Sequence, residues 1–224
     1  MSALTVQQIL DADLADWRPV AGTLRARFLT KGFTTGVDLV TAVGEAAEAA
    51  NHHPDVTLTW PFVDLTLVTH DEGNRVTALD VDLARQISAL AAERGVPADP
   101  AAPTVLELAL DTADKAAVGP FWAAVLTGDA SNVDDDDITD PGGRVPLLWL
   151  QGTDAHEEPR QRFHLDVWVG PDQAQPRIEA ALAAGGTLVD DSLAPSFVVL
   201  ADAEGNKACI CTSLDREQQR LIDG

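Results

Sequence analysis

The chain has 224 residues, 46% of them hydrophobic, with 15 Lys and Arg against 36 Asp and Glu, a formal net charge of −21 and a pI near 4.3. A protein this acidic is repelled by phosphate backbones and anionic lipid, which excludes nucleic acid and membrane surfaces as partners. The first twenty residues contain Asp11, Asp13 and Asp16, and no run approaches the roughly 18 apolar residues of a spanning helix. A soluble protein is expected.

In chain order, residues 5–15 read as a short helix, and TLRARFL (23–29) alternates Leu24, Ala26 and Phe28 against Thr23, Arg25 and Arg27, the pattern of a half-buried strand. From Val37, the apolar positions Val40, Val43, Ala47 and Ala50 recur at spacings of three and four, which marks an amphipathic helix. Pro54 biases His53 away from helical backbone, so that helix should end near Asn51 or His52. Val56, Leu58 and Trp60, then Val63, Leu65 and Leu67, alternate with polar residues as two paired strands. After the turn DEGN, a helix carrying Leu79, Leu83, Ile87 and Leu90 follows, with Thr77 at its N-cap. The first half is thus α+β, an antiparallel sheet with helices on one face.

ERGVPADPAAPT (93–104) puts Pro97, Pro100 and Pro103 where no helix can continue. The expected division is a domain over 1–96, a Pro/Ala linker over 97–103 and a second domain over 104–224. Within the second, the acidic run Asp134 to Asp137 reads as a solvated loop, since it lacks the alternating ligands and central Gly of a calcium-binding loop. Cys209 and Cys211, two apart, would share a strand face and are poorly placed to bridge each other, which fits a reducing cytoplasm.

Three of the five histidines lie in NHHPDVTLTWPFVDLTLVTH (51–70). Glu48 and His52 are four apart on one helix, a spacing that would let the carboxylate orient the imidazole. His53 comes one residue later, roughly 100° away if still helical, so the pair suits two sides of a cavity better than one shared ion. His70 closes the second strand beside a turn. A zinc site is the rival reading, but paired CxxC spacings are absent and both cysteines are far off, so no metal is expected here.

The spacing E-x3-H-H-P-x5-W-x9-H-x9-D, from Glu48 through His52, His53, Pro54, Trp60 and His70 to Asp80, resembles the signature of the pterin-4a-carbinolamine dehydratases. Trp17, the Leu24–Phe28 strand and ALDVDLARQI extend the resemblance over nearly all of residues 1–96. It implies a four-stranded sheet packed by helices, homo-oligomeric assembly, and dehydration of 4a-hydroxytetrahydropterin to quinonoid dihydropterin without metal or cofactor. The site it implies is Glu48, His52, His53, His70 and Asp80, with His52 and His70 carrying the proton transfers and His53 holding the pterin. The chemistry suits these residues independently: expelling a hydroxyl while removing the N5 proton needs an acid and a base that both work near neutral pH. Trp60, on the apolar face by alternation, favours core packing over ring stacking.

The second half contains a repeat. LELALDTADKAAVGPFWAAVLTGD (106–129) and FHLDVWVGPDQAQPRIEAALAAGGT (163–187) each read strand, acidic turn, amphipathic helix and Gly, followed by short strands. Two βαβββ modules in tandem resemble the glyoxalase/bleomycin-resistance, or vicinal oxygen chelate, superfamily. That resemblance implies a pocket whose strand positions here are Glu107, Gln151, His164 and Cys209. This set is irregular for a metal, and small-molecule binding or scaffolding is expected instead. His156 reads as solvated. Three functions are therefore in play: a dehydratase, a metal-dependent glyoxalase-like enzyme, and a non-catalytic small-molecule-binding or dimerisation protein. The intact polar signature favours the first.

Overall fold

The computed structural model describes residues 2–127, 129–143, 145–154, 163–183, 186–201 and 207–215, apart from the side chains of Phe121 and Val125. His156 and the stretch 202–206 lie outside the described residues. The chain divides into two compact units, one containing Met1–Thr104 and the other Val105–Trp168 with Ala174–Cys211.

In the first unit, α1 (Val6–Asp11) opens on a capping box between Thr5 and Gln8 and stops before the expected residue 15, because Asp13 adopts left-handed backbone at φ 52°. β1 (Arg18–Val20) was not legible from alternation: it has three residues, one of them Pro19, which an edge strand tolerates. β2 (Thr23–Phe28), α2 (Phe33–Ala50), β3 (Asp55–Leu58), β4 (Val63–Leu67), a 3-10 turn (His70–Glu72) and α3 (Ala78–Glu93) follow. The four strands form an antiparallel sheet in the order β1-β2-β4-β3. Leu24, Phe28, Leu65 and Leu67 from the sheet meet Leu39 and Val43 of α2 and Leu83 and Ile87 of α3 in one core. Trp17 stands edge-on to Phe28 at 6.1 Å and donates its indole N–H to Ser88 Oγ at 3.1 Å, which satisfies the polar end of a buried ring.

The proline-rich stretch is extended, as its prolines require, and its first residues lie along β2. Leu29 N donates to Pro97 O at 2.8 Å, Asp99 N donates to Arg27 O at 2.8 Å, Phe28 bridges Ala98, and Val96 is buried in the core.

The other half repeats one pattern twice. β5 (Thr104–Thr112), α4 (Lys115–Thr127), β6 (Val133–Asp134), β7 (Asp137–Ile138) and β8 (Leu148–Gly152) make one βαβββ module. β9 (Phe163–Val169), α5 (Pro171–Ala183), β10 (Thr187–Asp190), β11 (Phe197–Ala201) and β12 (Lys207–Cys211) make the next. Among the described residues they form a mixed eight-stranded sheet, β10-β11-β12-β9-β5-β8-β7-β6, in which each module's first and last strands pair in parallel. Leu110, Leu148 and Leu150 pack with Ile138 and with Ala123 of α4.

The acidic run is not a free loop. Val133 pairs with Ile138 and Asp134 with Asp137, so Asp135 (φ 53°) and Asp136 form a two-residue turn, and the Asp136 carboxylate accepts from Lys115 Nζ. The apolar residues flanking the charges explain the difference. They anchor the hairpin, and Asp tolerates the left-handed turn position.

Candidate active site

The histidine pair is placed by the way α2 ends. Asn51 adopts left-handed backbone (φ 47°), its N–H donates to the Ala47 and Glu48 carbonyls, and His52 N donates to Ala47 O at 3.1 Å. This closure reverses the chain before Pro54 and takes both rings off the helix periodicity. The expected Glu48–His52 pairing is therefore replaced. Glu48 Oε1 lies 3.1 Å from His53 Nε2, with both side chains open to solvent at 80% and 57% exposure, while His52 turns inward.

His52 is buried, and its Nε2 lies 2.7 Å from Oδ1 of Asp80, a residue with no exposed surface. Asp80 sits in the first turn of α3, where its carboxylate belongs to the capping box with Thr77. Its Oδ2 receives Thr77 N at 2.7 Å and Thr69 Oγ1 at 2.7 Å. The helix N-terminus adds a favourable field for the negative charge. A carboxylate only accepts, so with Asp80 ionised the hydrogen between the pair sits on His52 Nε2, and Nδ1 is left as the other ring nitrogen for proton exchange.

His70 begins the 3-10 turn instead of extending a strand, because β4 ends at Leu67. Its exposed ring places Nδ1 2.8 Å from Asn74 Oδ1. An amide oxygen only accepts, so Nδ1 carries the hydrogen and Nε2 is left as the exchangeable position. Asn74 holds left-handed backbone at φ 57°, a conformation Asn tolerates, and so turns back toward His70.

Trp60 is 65% exposed, which overturns the expectation of core packing. β3 stops at Leu58, and Thr59 to Phe62 form the hairpin turn, with Thr59 N donating to Phe62 O at 2.9 Å, so the alternation does not extend to residue 60.

Thr69, Thr77 and Asn74 were not picked out as site residues. For Thr77 a signal is present: T-x-x-D at the start of an apolar helix is a capping pattern whose acid, here Asp80, can turn to a second task.

In the other half, Glu107, Gln151, His164 and Cys209 fall on β5, β8, β9 and β12. Asp111 pairs across from Gln151, Asp166 across from Cys209, and His164 Nε2 lies 3.2 Å from Asp111 Oδ1. With strand alternation, all four therefore share one sheet face. Among the described residues, no three His, Cys, Asp or Glu side chains are arranged to hold a metal ion. Gln and Cys in this set also mix hard and soft donors. The set does not fit a divalent metal.

Residues 1–90 match the family model described as pterin 4 alpha carbinolamine dehydratase, and residues 107–211 match a glyoxalase-like domain. A Mycobacterium avium (strain 104) protein named as a pterin-4-alpha-carbinolamine dehydratase is 42% identical over 92 residues, covering 40% of this chain and 97% of the relative. The chain belongs to the pterin-4a-carbinolamine dehydratase family. A protein of the same name from Nocardia farcinica (strain IFM 10152) is 42% identical over 90 residues, covering 39% of this chain and 94% of that protein. A solved structure titled as a transcriptional coactivator/pterin dehydratase from Brucella melitensis is 33% identical, covers 40% of this chain and 99% of its own, and superposes with a TM-score of 0.38. The matched region contains all three clustered histidines and Asp80. No helix among the described residues is long and apolar enough to cross a membrane.

Proposed function

We propose that residues 1–96 dehydrate 4a-hydroxytetrahydropterin to quinonoid dihydropterin and water by histidine acid–base catalysis, joined through residues 97–103 to a second domain over 104–224. The observation that carries this reading is the buried Asp80–His52 pair, an imidazole held against a carboxyl group at 2.7 Å. In the reaction the C4a–O bond breaks as the hydroxyl takes a proton. The N5–H bond gives up its proton, and its electron pair becomes the second bond of C4a=N5. His52 takes the N5 proton, and the imidazolium so formed is offset by the Asp80 carboxylate beside it. His70, entering the step as the imidazolium with Nδ1–H held by Asn74, gives its Nε2 proton to the leaving hydroxyl and ends as the neutral Nδ1–H ring. His53 holds the pterin with Glu48 behind it, and Trp60 offers an exposed ring face for stacking. A cytoplasmic setting and assembly as a homo-oligomer belong to the same reading.

The test is absorbance-monitored dehydration of 4a-hydroxytetrahydropterin by the full chain, with and without exhaustive chelation. A rate well above the uncatalysed one, unchanged by chelation, is expected. A rate equal to the uncatalysed decay would contradict the assignment. Loss on chelation with recovery on adding zinc would replace it by a metal reaction.

A further inference from the structure

The donors around Asp80 form a chain whose direction is fixed by counting protons. Thr77 Oγ1 accepts Leu79 N at 3.2 Å, and the two threonine Oγ1 atoms are 2.8 Å apart. Thr69 Oγ1 lies 2.7 Å from Asp80 Oδ2, whereas Thr77 Oγ1 lies 3.3 Å from the same oxygen. Each hydroxyl has one proton. A carboxylate oxygen must receive that of Thr69, so the short contact between threonines is Thr77 donating to Thr69. The sequence runs one way: Leu79 N–H to Thr77, Thr77 to Thr69, Thr69 to Asp80 Oδ2, with His52 Nε2–H arriving on Oδ1 from the other side.

Thr69 is the one member of this chain outside the helix bearing Asp80 and the loop bearing His52. It is buried, it precedes His70 in the chain, and its N–H donates to Arg75 O at 3.0 Å, which pins the base of the 70–74 turn. We propose that Thr69 is a positioning residue for the dehydration, tying the segment that carries His70 to the Asp80–His52 pair and holding His52 in its Nε2–H tautomer. This rests on the dehydratase reading for its kinetic consequence but not for its structural one.

The experiment compares Thr69→Val, which keeps the shape and removes the hydroxyl, with Thr69→Ser, which keeps the hydroxyl and removes the methyl. Both are made in the full chain, and both pterin kinetics and the ¹⁵N and ¹H signals of the His52 ring are measured. Thr69→Val should lower kcat roughly tenfold, the worth of about one buried hydrogen bond to a charged group. KM should stay unchanged, and the His52 signals should move away from the Nε2–H pattern. Thr69→Ser should stay within about twofold of the parent, since its hydroxyl keeps the bond. Unmoved His52 signals in Thr69→Val, or moved signals with undiminished kcat, would overturn the proposal. So would equal losses in the two variants, because they would indicate packing. If Thr69→Val does not fold, Thr69→Ala against Thr69→Ser makes the same comparison, with the same outcomes deciding it. If the parent protein has no dehydratase activity, the function fails by itself, and the ring signals alone decide whether Thr69 sets His52.

Discussion

Both halves of the molecule set a buried aspartate against a histidine, yet the two pairs are built differently. Asp80 meets His52 at 2.7 Å, the histidine side chain is 9% exposed, and the other carboxylate oxygen is filled by a helix N-terminus and a threonine. Asp111 meets His164 at 3.2 Å across two strands, and that ring is 36% exposed. A strand face offers no converging row of amide donors, whereas the first turn of a helix does. The lesson is that an Asp–His pair becomes a proton-transfer device when the acid is fixed by groups other than the histidine. The first pair meets that standard, because Thr77 and Thr69 hold Asp80 independently of His52.

Stability should separate the two most sharply. Asp80→Ala removes a helix cap and leaves His52 buried beside an empty acceptor position, and about 3–5 kcal/mol of unfolding free energy should be lost. Asp111→Ala should cost about 1 kcal/mol or less, the scale of one partly solvated ion pair. Equal shifts in denaturant midpoint would erase the distinction.

Truncation sharpens it next. A fragment of residues 1–103 should fold and keep dehydratase activity. One of residues 1–95 should be about 2–4 kcal/mol less stable, because it loses buried Val96 and the backbone bonds of Pro97 and Asp99 along β2. Matching thermal unfolding of the two fragments would mean the stretch only connects.

Trp60→Ala should change stability by no more than about 0.5 kcal/mol, since the ring is exposed, while raising KM for the pterin. A stability loss of core size would return Trp60 to packing.

The smallest effect lies in the second half. The Ser131 backbone N–H and hydroxyl hold the exposed Asp129 carboxyl below the usual carboxylate range. A carboxyl lowered on folding contributes stability above its unfolded value and loses it as pH falls through the folded value. Ser131→Ala should therefore raise the Asp129 titration midpoint, seen by NMR, with a slight destabilisation at neutral pH that vanishes in acid. An unmoved midpoint would remove the hydroxyl's part in holding it.

Much of this was legible in the sequence where local chemistry and periodicity agree. The body of α2, the Thr77 cap and the inward face of β2 and β4 follow from spacing alone, and the doubled βαβββ order follows from the repeat. What was not legible depends on where periodicity stops. Glu48 reaches His53 and not His52 because left-handed Asn51 breaks the helical spacing on which the four-residue rule depends. Trp60 is exposed because its strand ends two residues earlier. β6 and β7 have two residues each, too few to show alternation, and were hidden under a run of like charges. The partners that complete the candidate site, Thr69 and Asn74, come from a turn whose geometry only the folded chain supplies.

On the proposed reading, proton transfer belongs to the pair held by the α3 N-terminus and not to its counterpart on the second sheet. The direct test is turnover of 4a-hydroxytetrahydropterin by His52→Ala and His164→Ala in otherwise identical full-length protein. His52→Ala should lose on the order of 10² or more in kcat while staying folded, as for a lost acid–base group, and His164→Ala should keep the parent rate. Full activity in His52→Ala, or a comparable loss in His164→Ala, would contradict the account.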